Sequence, residues 1–218
     1  MTGQRWATFD CYGTLIDWNL GIRTELERVF GVEAAPRLLL RYHELEPKIE
    51  AEEYRTYREV LRLTLEELLR EEGLQLPEGE ARTLADSLPD WPPFPEVPAA
   101  LTELRNRGWM LAILSNSDRD LIESSIESIG VPFDLAIVAS EIGSYKPAHE
   151  HWGAFAEQVG RLPDVHVAQS HFHDVVPATA LGIPTVWINR LGERAEPAPT
   201  RQLTGLTGLA DTLDELAP

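Results

Sequence analysis

Six polar residues, each directly behind or close after an apolar run, are the candidates for chemistry in this chain. In chain order they are Asp10, Ser115, Asn116, Lys146, Asp174 and Asn189. A carboxylate can act as a nucleophile or a base, a lysine can keep a neighbouring carboxylate ionised, and amide N–H groups can bind an anion. Because ligands bind beyond the carboxyl ends of parallel strands, we expect these residues to share one sheet edge.

The elements that must position these residues can be predicted from the pattern of apolar residues. Five short apolar runs are typical of buried parallel strands: Trp6–Phe9, Met110–Leu114, Leu135–Ala139, Val165–Ala168 and Thr185–Ile188. Amphipathic segments between the later runs end at Gly130, Gly160 and Gly182, and glycine is the usual residue after a helix. Alternating strands and helices predict an α/β fold, a Rossmann-like, doubly wound parallel sheet.

A long insertion separates the first two predicted strands. Its apolar residues recur at helical spacing, as in Leu61, Leu65 and Leu68, and the proline-rich segment 89–95 closes it. We therefore predict a core domain of residues 1–17 and 91–218 that is interrupted by a helical cap domain of residues 18–90.

Charge and cysteine content restrict the partners and the compartment. The chain has 218 residues, with 19 basic and 36 acidic side chains and a net charge of −17. Such an acidic protein repels phosphate backbones and anionic lipids, so we predict neither nucleic-acid nor membrane binding. The single cysteine, Cys11, is expected to pack in the interior, and the absence of a signal-like start predicts a cytoplasmic protein. Only two lysines occur, Lys48 and Lys146.

Four segments resemble, in order, the motifs of the haloacid dehalogenase superfamily. They are Phe9-Asp10-Cys11-Tyr12-Gly13-Thr14-Leu15, Leu114-Ser115-Asn116, Ser144-Tyr145-Lys146-Pro147, and Asp174 followed by Ala180-Leu181-Gly182-Ile183-Pro184-Thr185. The superfamily also places a helical cap between its first and second motifs. Four ordered motifs are more specific than one, and the resemblance implies a hydrolase with an aspartate nucleophile.

Two departures indicate which branch of the superfamily is closest. Most members are Mg²⁺-dependent phosphohydrolases with a second aspartate as general acid, but that position holds Tyr12, and Gln169 stands where a metal-binding aspartate is expected. A halide leaves without a proton, whereas an alkoxide needs one. The resemblance therefore implies the branch of the (S)-2-haloacid dehalogenases, with no metal and no cofactor.

In that branch the resemblance gives each motif residue a role. Asp10 would attack the α-carbon of a small 2-substituted carboxylate and form an aspartyl ester, which water then hydrolyses near Asp174. Lys146 would hold Asp10 in its ionised form, and Thr14 would donate a hydrogen bond to it.

Further residues would bind the substrate and the leaving group. Ser115 and Asn116, ahead of a helix that begins near Asp118, would bind the substrate carboxylate. Tyr12 and Trp18 would line the pocket. Arg41 lies where dehalogenases place an arginine that receives the halide, although an arginine on a solvated helix face is the competing interpretation.

The last motif differs from that of the best-known dehalogenases. Gln169 and His171 occupy positions where a serine and an asparagine are expected, and Ser170 and His171 are assigned to substrate binding. The histidine directly before Asp174, His173, resembles a side branch that includes an azetidine-2-carboxylate hydrolase. Either histidine could act as a base or protonate a leaving amine, or could be a loop residue without a catalytic role.

The leading interpretation is a 2-haloacid dehalogenase that acts on a small carboxylate. Ring opening of a cyclic imino acid, a phosphatase without its general acid, and a non-catalytic protein of the same fold are the alternatives. The resemblance also allows a homodimer.

Overall fold

The protein divides into two compact units, each formed by its own set of contacts. The structure is a computed structural model that describes residues 3–194 and 196–217. One unit, the core unit, comprises Met1–Ile16 and Pro93–Pro218, and the other, the helical unit, comprises Asp17–Pro92. The boundaries predicted from the sequence lie within two residues of these.

The core unit contains one six-stranded parallel sheet. Its strands are β1 Arg5–Phe9, β2 Trp109–Ser115, β3 Leu135–Val138, β4 Val165–Ala168, β5 Thr185–Ile188 and β6 Arg201–Leu203, in the order β3-β2-β1-β4-β5-β6. Phe9 is in register with Ile113 of β2 and with Val167 of β4. The three central strands therefore end at nearly the same level, and the residues after them meet at one edge.

Ten α-helices lie in the described residues. They are α1 Trp18–Phe30, α2 Ala35–Glu50, α3 Tyr57–Glu72, α4 Thr83–Ser87, α5 Val97–Asn106, α6 Arg119–Ile129, α7 Ala139–Ile142, α8 Glu150–Val159, α9 Val176–Ala180 and α10 Leu209–Leu216. Asp118, in extended conformation, precedes α6, and Gly130 ends it with a left-handed φ of 71°. A single π-helical turn, His171–Val175, joins the end of β4 to α9.

Burial on both faces explains the apolar strands of the sheet. Trp6, Trp152 and Phe155 belong to one buried cluster, and the rings of Trp6 and Phe155 meet edge to face with centroids 5.5 Å apart. A parallel sheet covered by helices on its faces requires such apolar runs. A few buried polar side chains interrupt this pattern, and one of them is His166, in the middle of β4, which is fully buried.

The helical unit has an apolar interior formed by α1, α2 and α3. Leu61, Leu65 and Leu68 are buried along one face of α3, and a capping box between Thr56 and Glu59 fixes the start of that helix. Gly21 in α1 lies directly against the ring of Trp91. A Cβ at this position would come within 2.2 Å of the ring. Close helix packing therefore requires glycine here.

The α/β prediction is confirmed, with differences at the edges. Two of the five predicted strands match the observed strands, and the other three differ by one residue at one end or at both ends. Ala139 was assigned to a strand but begins α7. β6 was not predicted, because Arg201-Gln202-Leu203 is short and mostly exposed. In the described part of the chain, no helix has both the length and the apolar character that crossing a membrane requires.

Candidate active site

Asp10 follows β1 directly and is held from two sides. It is 8% exposed, and its backbone N–H donates to the carbonyl of Val167 at 3.0 Å. The hydroxyl of Thr14 donates to Asp10 Oδ2 at 2.6 Å and accepts from the backbone N–H of Gln169 at 2.8 Å. Thr14 thus links the loop after β1 to the end of β4, which fixes the orientation of the Asp10 carboxylate.

Lys146 brings the two predicted carboxylates together. Its ammonium nitrogen lies 3.0 Å from Asp10 Oδ1, 2.7 Å from Asp174 Oδ1 and 2.8 Å from the carbonyl oxygen of Leu114. A lysine ammonium has three N–H donors, so these contacts use all of them. The side chain is 1% exposed, which makes Lys146 a buried cation between two carboxylates.

Asn116 fixes the loop that carries Lys146. Its amide nitrogen donates to the carbonyl of Lys146 at 3.0 Å, and its amide oxygen accepts from the backbone N–H of Lys146 at 2.6 Å. The side-chain amide of Asn116 thus pairs with both backbone groups of Lys146, as a neighbouring strand would. The side chain predicted to bind substrate therefore also holds the loop at the end of β2.

Asp174 is buried in the π-helical turn, and its two oxygens differ. Oδ1 accepts from Lys146 and lies 2.9 Å from Nε2 of His166, whereas Oδ2 is buried without a hydrogen-bond partner. His166 was not among the predicted site residues. A histidine inside an otherwise apolar strand was the signal that could have found it, because a buried imidazole needs polar partners.

The charges of the site influence one another. Burial raises the pKa of Asp10 above its ordinary 3.8, and Asp174 adds to this, although Lys146 and Thr14 act in the opposite direction. Burial would also raise the pKa of Asp174, but the ammonium of Lys146 and the ring of His166 outweigh it and lower that pKa to about 2. Burial disfavours the Lys146 ammonium, yet the two carboxylates raise its pKa above 10.5. All three groups meet in one low-dielectric site.

The donor set does not fit a divalent metal ion. Asp10 and Asp174 already share an ammonium, whereas Mg²⁺ prefers an octahedral shell of oxygen ligands. Among residues 3–194 and 196–217, no three histidine, cysteine, aspartate or glutamate side chains group as a metal site.

Two predicted binding residues border the start of α6. Ser115 ends β2 with 1% exposure, and its carbonyl oxygen accepts from Nε2 of His151 at 3.0 Å. The hydroxyl of Tyr12 lies 3.2 Å from Oγ of Ser125 in α6, and burial raises the pKa of Tyr12 well above 10. Tyr12 therefore remains a neutral phenol. Cys11 is fully buried, as its predicted packing role requires.

Of the residues before Asp174, Ser170 and His173 contact each other, whereas His171 contacts the backbone at Pro197. Ser170 precedes the π-helical turn, and its hydroxyl accepts from the backbone N–H of His173 at 3.1 Å. Nε2 of His171 lies 2.8 Å from the carbonyl oxygen of Pro197. Because a carbonyl only accepts, this nitrogen carries a proton. Burial lowers the pKa of His173 below 6.5.

Two further side chains beyond β5, Asn189 and Arg190, make hydrogen bonds that hold loops in place. Asn189 closes its own loop through hydrogen bonds to the backbone of Glu193, so the structure does not bring its side chain into the site. Arg190, which was not predicted, donates to the carbonyl of Thr14 at 2.9 Å and to Glu96 at 2.7 Å. Arg190 therefore braces the loop of the predicted nucleophile.

Arg41 lies in α2 of the helical unit and has carboxylate partners there. Its guanidinium binds both carboxylate oxygens of Glu71 in α3, at 2.6 and 2.8 Å, and also contacts Glu44. These pairs are exposed to solvent. The predicted halide-receiving role of Arg41 is not tested by these contacts. In the same unit, Nε1 of Trp18 donates to the hydroxyl of Tyr57 at 2.9 Å.

Comparisons with known proteins show which family and which fold the chain shares. Residues 5–168 match the sequence family described as haloacid dehalogenase-like hydrolase. An (S)-2-haloacid dehalogenase of Pseudomonas sp. (strain YL) is 30% identical over 96% of this chain and 94% of its own. Haloacetate dehalogenase H-2 of Moraxella sp. (strain B) is 32% identical over 84% of this chain and 85% of its own. The solved L-2-haloacid dehalogenase of Xanthobacter autotrophicus has the same fold, with a TM-score of 0.85 at 21% identity over 99% and 100% of the two chains.

Proposed function

Because the chain belongs to the haloacid dehalogenase-like hydrolases, we propose that it removes the halogen from short 2-haloacids through an ester on Asp10. The observation that carries this proposal is the buried group in which the Lys146 ammonium contacts both Asp10 and Asp174. Such a group offers one ionised carboxylate for attack and a second one for hydrolysis.

In the first step, an Asp10 oxygen forms a bond to the α-carbon of the substrate. The carbon–halogen bond breaks, and the halide leaves with its electron pair. No proton donor is needed, which agrees with a neutral tyrosine at position 12 in place of an acid. Burial strips water from the Asp10 carboxylate, while Lys146 and Thr14 hold it in one orientation.

The substrate carboxylate is proposed to bind at the start of α6, near Ser115 and Asn116. Backbone N–H groups at a helix start attract anions, and the paired contacts of Asn116 with Lys146 make this corner rigid. Tyr12, Ser170 and His171 are proposed to border the same pocket. Arg41 of the helical unit is proposed to receive the halide, on the strength of the resemblance alone.

In the second step, water hydrolyses the ester. One water proton moves to Asp174 while the water oxygen bonds to the ester carbon of Asp10. The bond between this carbon and the oxygen attached to the substrate's α-carbon then breaks. The departing oxygen takes the proton from Asp174 to give the 2-hydroxy acid, and Asp10 is released as a carboxyl group that ionises. The buried Oδ2 of Asp174, without a hydrogen-bond partner, supports this role.

Ring opening of azetidine-2-carboxylate is the weaker proposal, because it needs a proton for the leaving nitrogen. The pKa of His173 lies below 6.5, so this histidine is neutral near pH 7 and is a poor acid. Assays of both substrates with His171→Ala and His173→Ala variants separate the two reactions.

The test is halide release from L-2-chloropropionate in the presence of EDTA. We expect turnover by the unmodified protein and none by Asp10→Asn, with the ester detected on Asp10 by intact-mass measurement. Hydrolysis of phosphate esters alone, and only with Mg²⁺, would contradict the proposal.

A cytoplasmic location and a homodimer are proposed as well. The single, buried cysteine is compatible with a reducing compartment, and the resemblance supports the dimer. Cell fractionation and light scattering of the purified protein test these two points.

A further inference from the structure

The buried histidine of β4 has two polar partners that fix its ring. Nε2 of His166 lies 2.9 Å from Oδ1 of Asp174, and Nδ1 lies 2.8 Å from the hydroxyl of Thr8. The ring of Trp152 packs edge to face against it, with centroids 5.3 Å apart. His166 is thus held along the line from Thr8 to Asp174 and has no contact with solvent.

These partners assign the protons of the ring. An ionised carboxylate only accepts, so Nε2 carries a proton toward Asp174. The hydroxyl of Thr8 donates to the carbonyl oxygen of Val165 at 3.3 Å and lies 2.8 Å from Nδ1, which holds the far side of the ring in place. The contact that matters for Asp174 is therefore the N–H on Nε2.

The N–H that His166 donates makes the two oxygens of Asp174 unequal. Oδ1 accepts from both His166 and Lys146, whereas Oδ2 is buried and has no partner. A carboxylate attached to a methylene group turns easily about its last bond. The two donors on Oδ1 oppose this rotation and leave Oδ2 as the oxygen that can take a proton.

Lys146 alone does not secure this arrangement during the reaction. Its ammonium also donates a hydrogen bond to Asp10, and ester formation removes the negative charge of Asp10. The Lys146 contacts must adjust at that moment, whereas none of the contacts described for His166 involves Asp10.

We propose that His166 is the positioning residue for the second half of the reaction, holding Asp174 by Oδ1 so that Oδ2 accepts the proton of the hydrolytic water. This inference rests on the proposed function. The loss of His166 should therefore slow hydrolysis of the Asp10 ester more than its formation.

The test compares three substitutions of His166. Gln places an amide nitrogen near the former Nε2 and retains a donor for Asp174, Asn retains a polar group on the Thr8 side only, and Leu retains neither. Rapid mixing with L-2-chloropropionate measures the first turnover of halide release, steady-state assays give kcat, and intact-mass measurement counts ester on Asp10.

For His166→Asn and His166→Leu we expect a burst of one halide per site, with kcat lowered about 10–100-fold and ester accumulated on Asp10. His166→Gln should recover much of kcat and show less ester. His151→Gln is the matched control, because His151 is a buried histidine that contacts the carbonyl of Ser115 instead of a carboxylate. This variant should not accumulate ester.

The outcomes separate a positioning role from a purely structural one. Equal slowing of the burst and of kcat, without ester, would overturn the inference, and so would unchanged kinetics in His166→Asn. If the Asn and Leu variants do not fold, a folded His166→Gln variant that accumulates as much ester as an Asp174→Asn variant also overturns it. Failure of the proposed function appears separately, as an unmodified protein that releases no halide and forms no ester.

Discussion

Two cations of this chain each contact two carboxylates, and they do so in opposite surroundings. Lys146 in the core unit is 1% exposed and contacts Asp10 and Asp174. Arg41 in the helical unit is 31% exposed and contacts Glu71 and Glu44. The number and sign of the charges are the same, but the two groups differ in their access to water.

This difference decides what each group can do. In water, solvent screens the attraction between charges and weakens exposed ion pairs. In the interior, removal of one partner leaves a charge without compensation, which is costly. The Lys146 group can therefore shift the pKa values of its carboxylates and prepare one of them for attack. The Arg41 group contributes little to stability, so we expect apolar packing to stabilise the helical unit.

The strongest test of this comparison is the replacement of the buried cation. Lys146→Met should lower the free energy of unfolding by about 3–5 kcal/mol, because two buried carboxylates lose their counter-charge. Halide release should fall by about 10²-fold or more, since Asp10 and Asp174 are no longer oriented. Urea unfolding and halide assays measure both effects. A variant as stable as the unmodified protein would show that water reaches this group.

If the helical unit depends on packing, its closest helix contact should matter more than its ion pairs. Gly21→Ala places a methyl group against the ring of Trp91 and should destabilise the protein by about 1–3 kcal/mol in urea unfolding. Gly153→Ala in α8 is the matched control, since a Cβ there has no neighbour within 4 Å. That change should stabilise by about 0.4–1 kcal/mol. Equal effects of the two substitutions would contradict the packing argument.

Arg41 is proposed to act in catalysis, but its exposed ion pairs are not expected to stabilise the fold. Arg41→Gln should lower kcat for 2-chloropropionate about 10-fold or more, with no measurable change in urea unfolding. Arg37→Gln is the matched control, because Arg37 pairs with Glu72 between the same two helices. An unchanged kcat in Arg41→Gln would make Arg41 a surface ion pair only.

The smallest expected effect concerns a neutral donor in the core unit. Thr14 donates to Asp10 Oδ2 and favours its ionised form, so Thr14→Val should raise the pKa of Asp10 further. Because the nucleophile must be ionised, the acid limb of kcat/KM should move to higher pH by about half to one unit. Thr14→Ser retains the hydroxyl and should leave the limb in place. A shift to lower pH, or the same shift in both variants, would be inconsistent with this role.

The sequence predicted the elements and the contacts of the core that follow from local patterns. Apolar runs marked the strands, and the residues at their ends converge because parallel strands end together, as with Asp10 and Lys146. β6 was missed because a short, exposed edge strand carries no apolar pattern. Asn189 was placed with the site because position after a strand does not reveal which partner a side chain takes.

His166 was missed for a different physical reason. Its function depends on Asp174, eight positions later in another element, and on Thr8 in the neighbouring strand. Pairings of this kind arise from strand register and from the direction of a turn, neither of which can be read from residue types. The motif around Asp174 indicated a site, but only the fold shows which oxygen of the carboxylate remains available.

The ammonium shared by Asp10 and Asp174 also gives the two chemical steps an order. Two carboxylates around one cation take up protons as a pair, and the charge of Asp174 raises the pKa of Asp10. When the nucleophile becomes an ester, its charge disappears and the remaining carboxylate holds protons less tightly. Asp174, whose pKa is about 2, therefore stays ionised when the intermediate forms, so the proton acceptor of the second step carries no proton of its own when water attacks the ester.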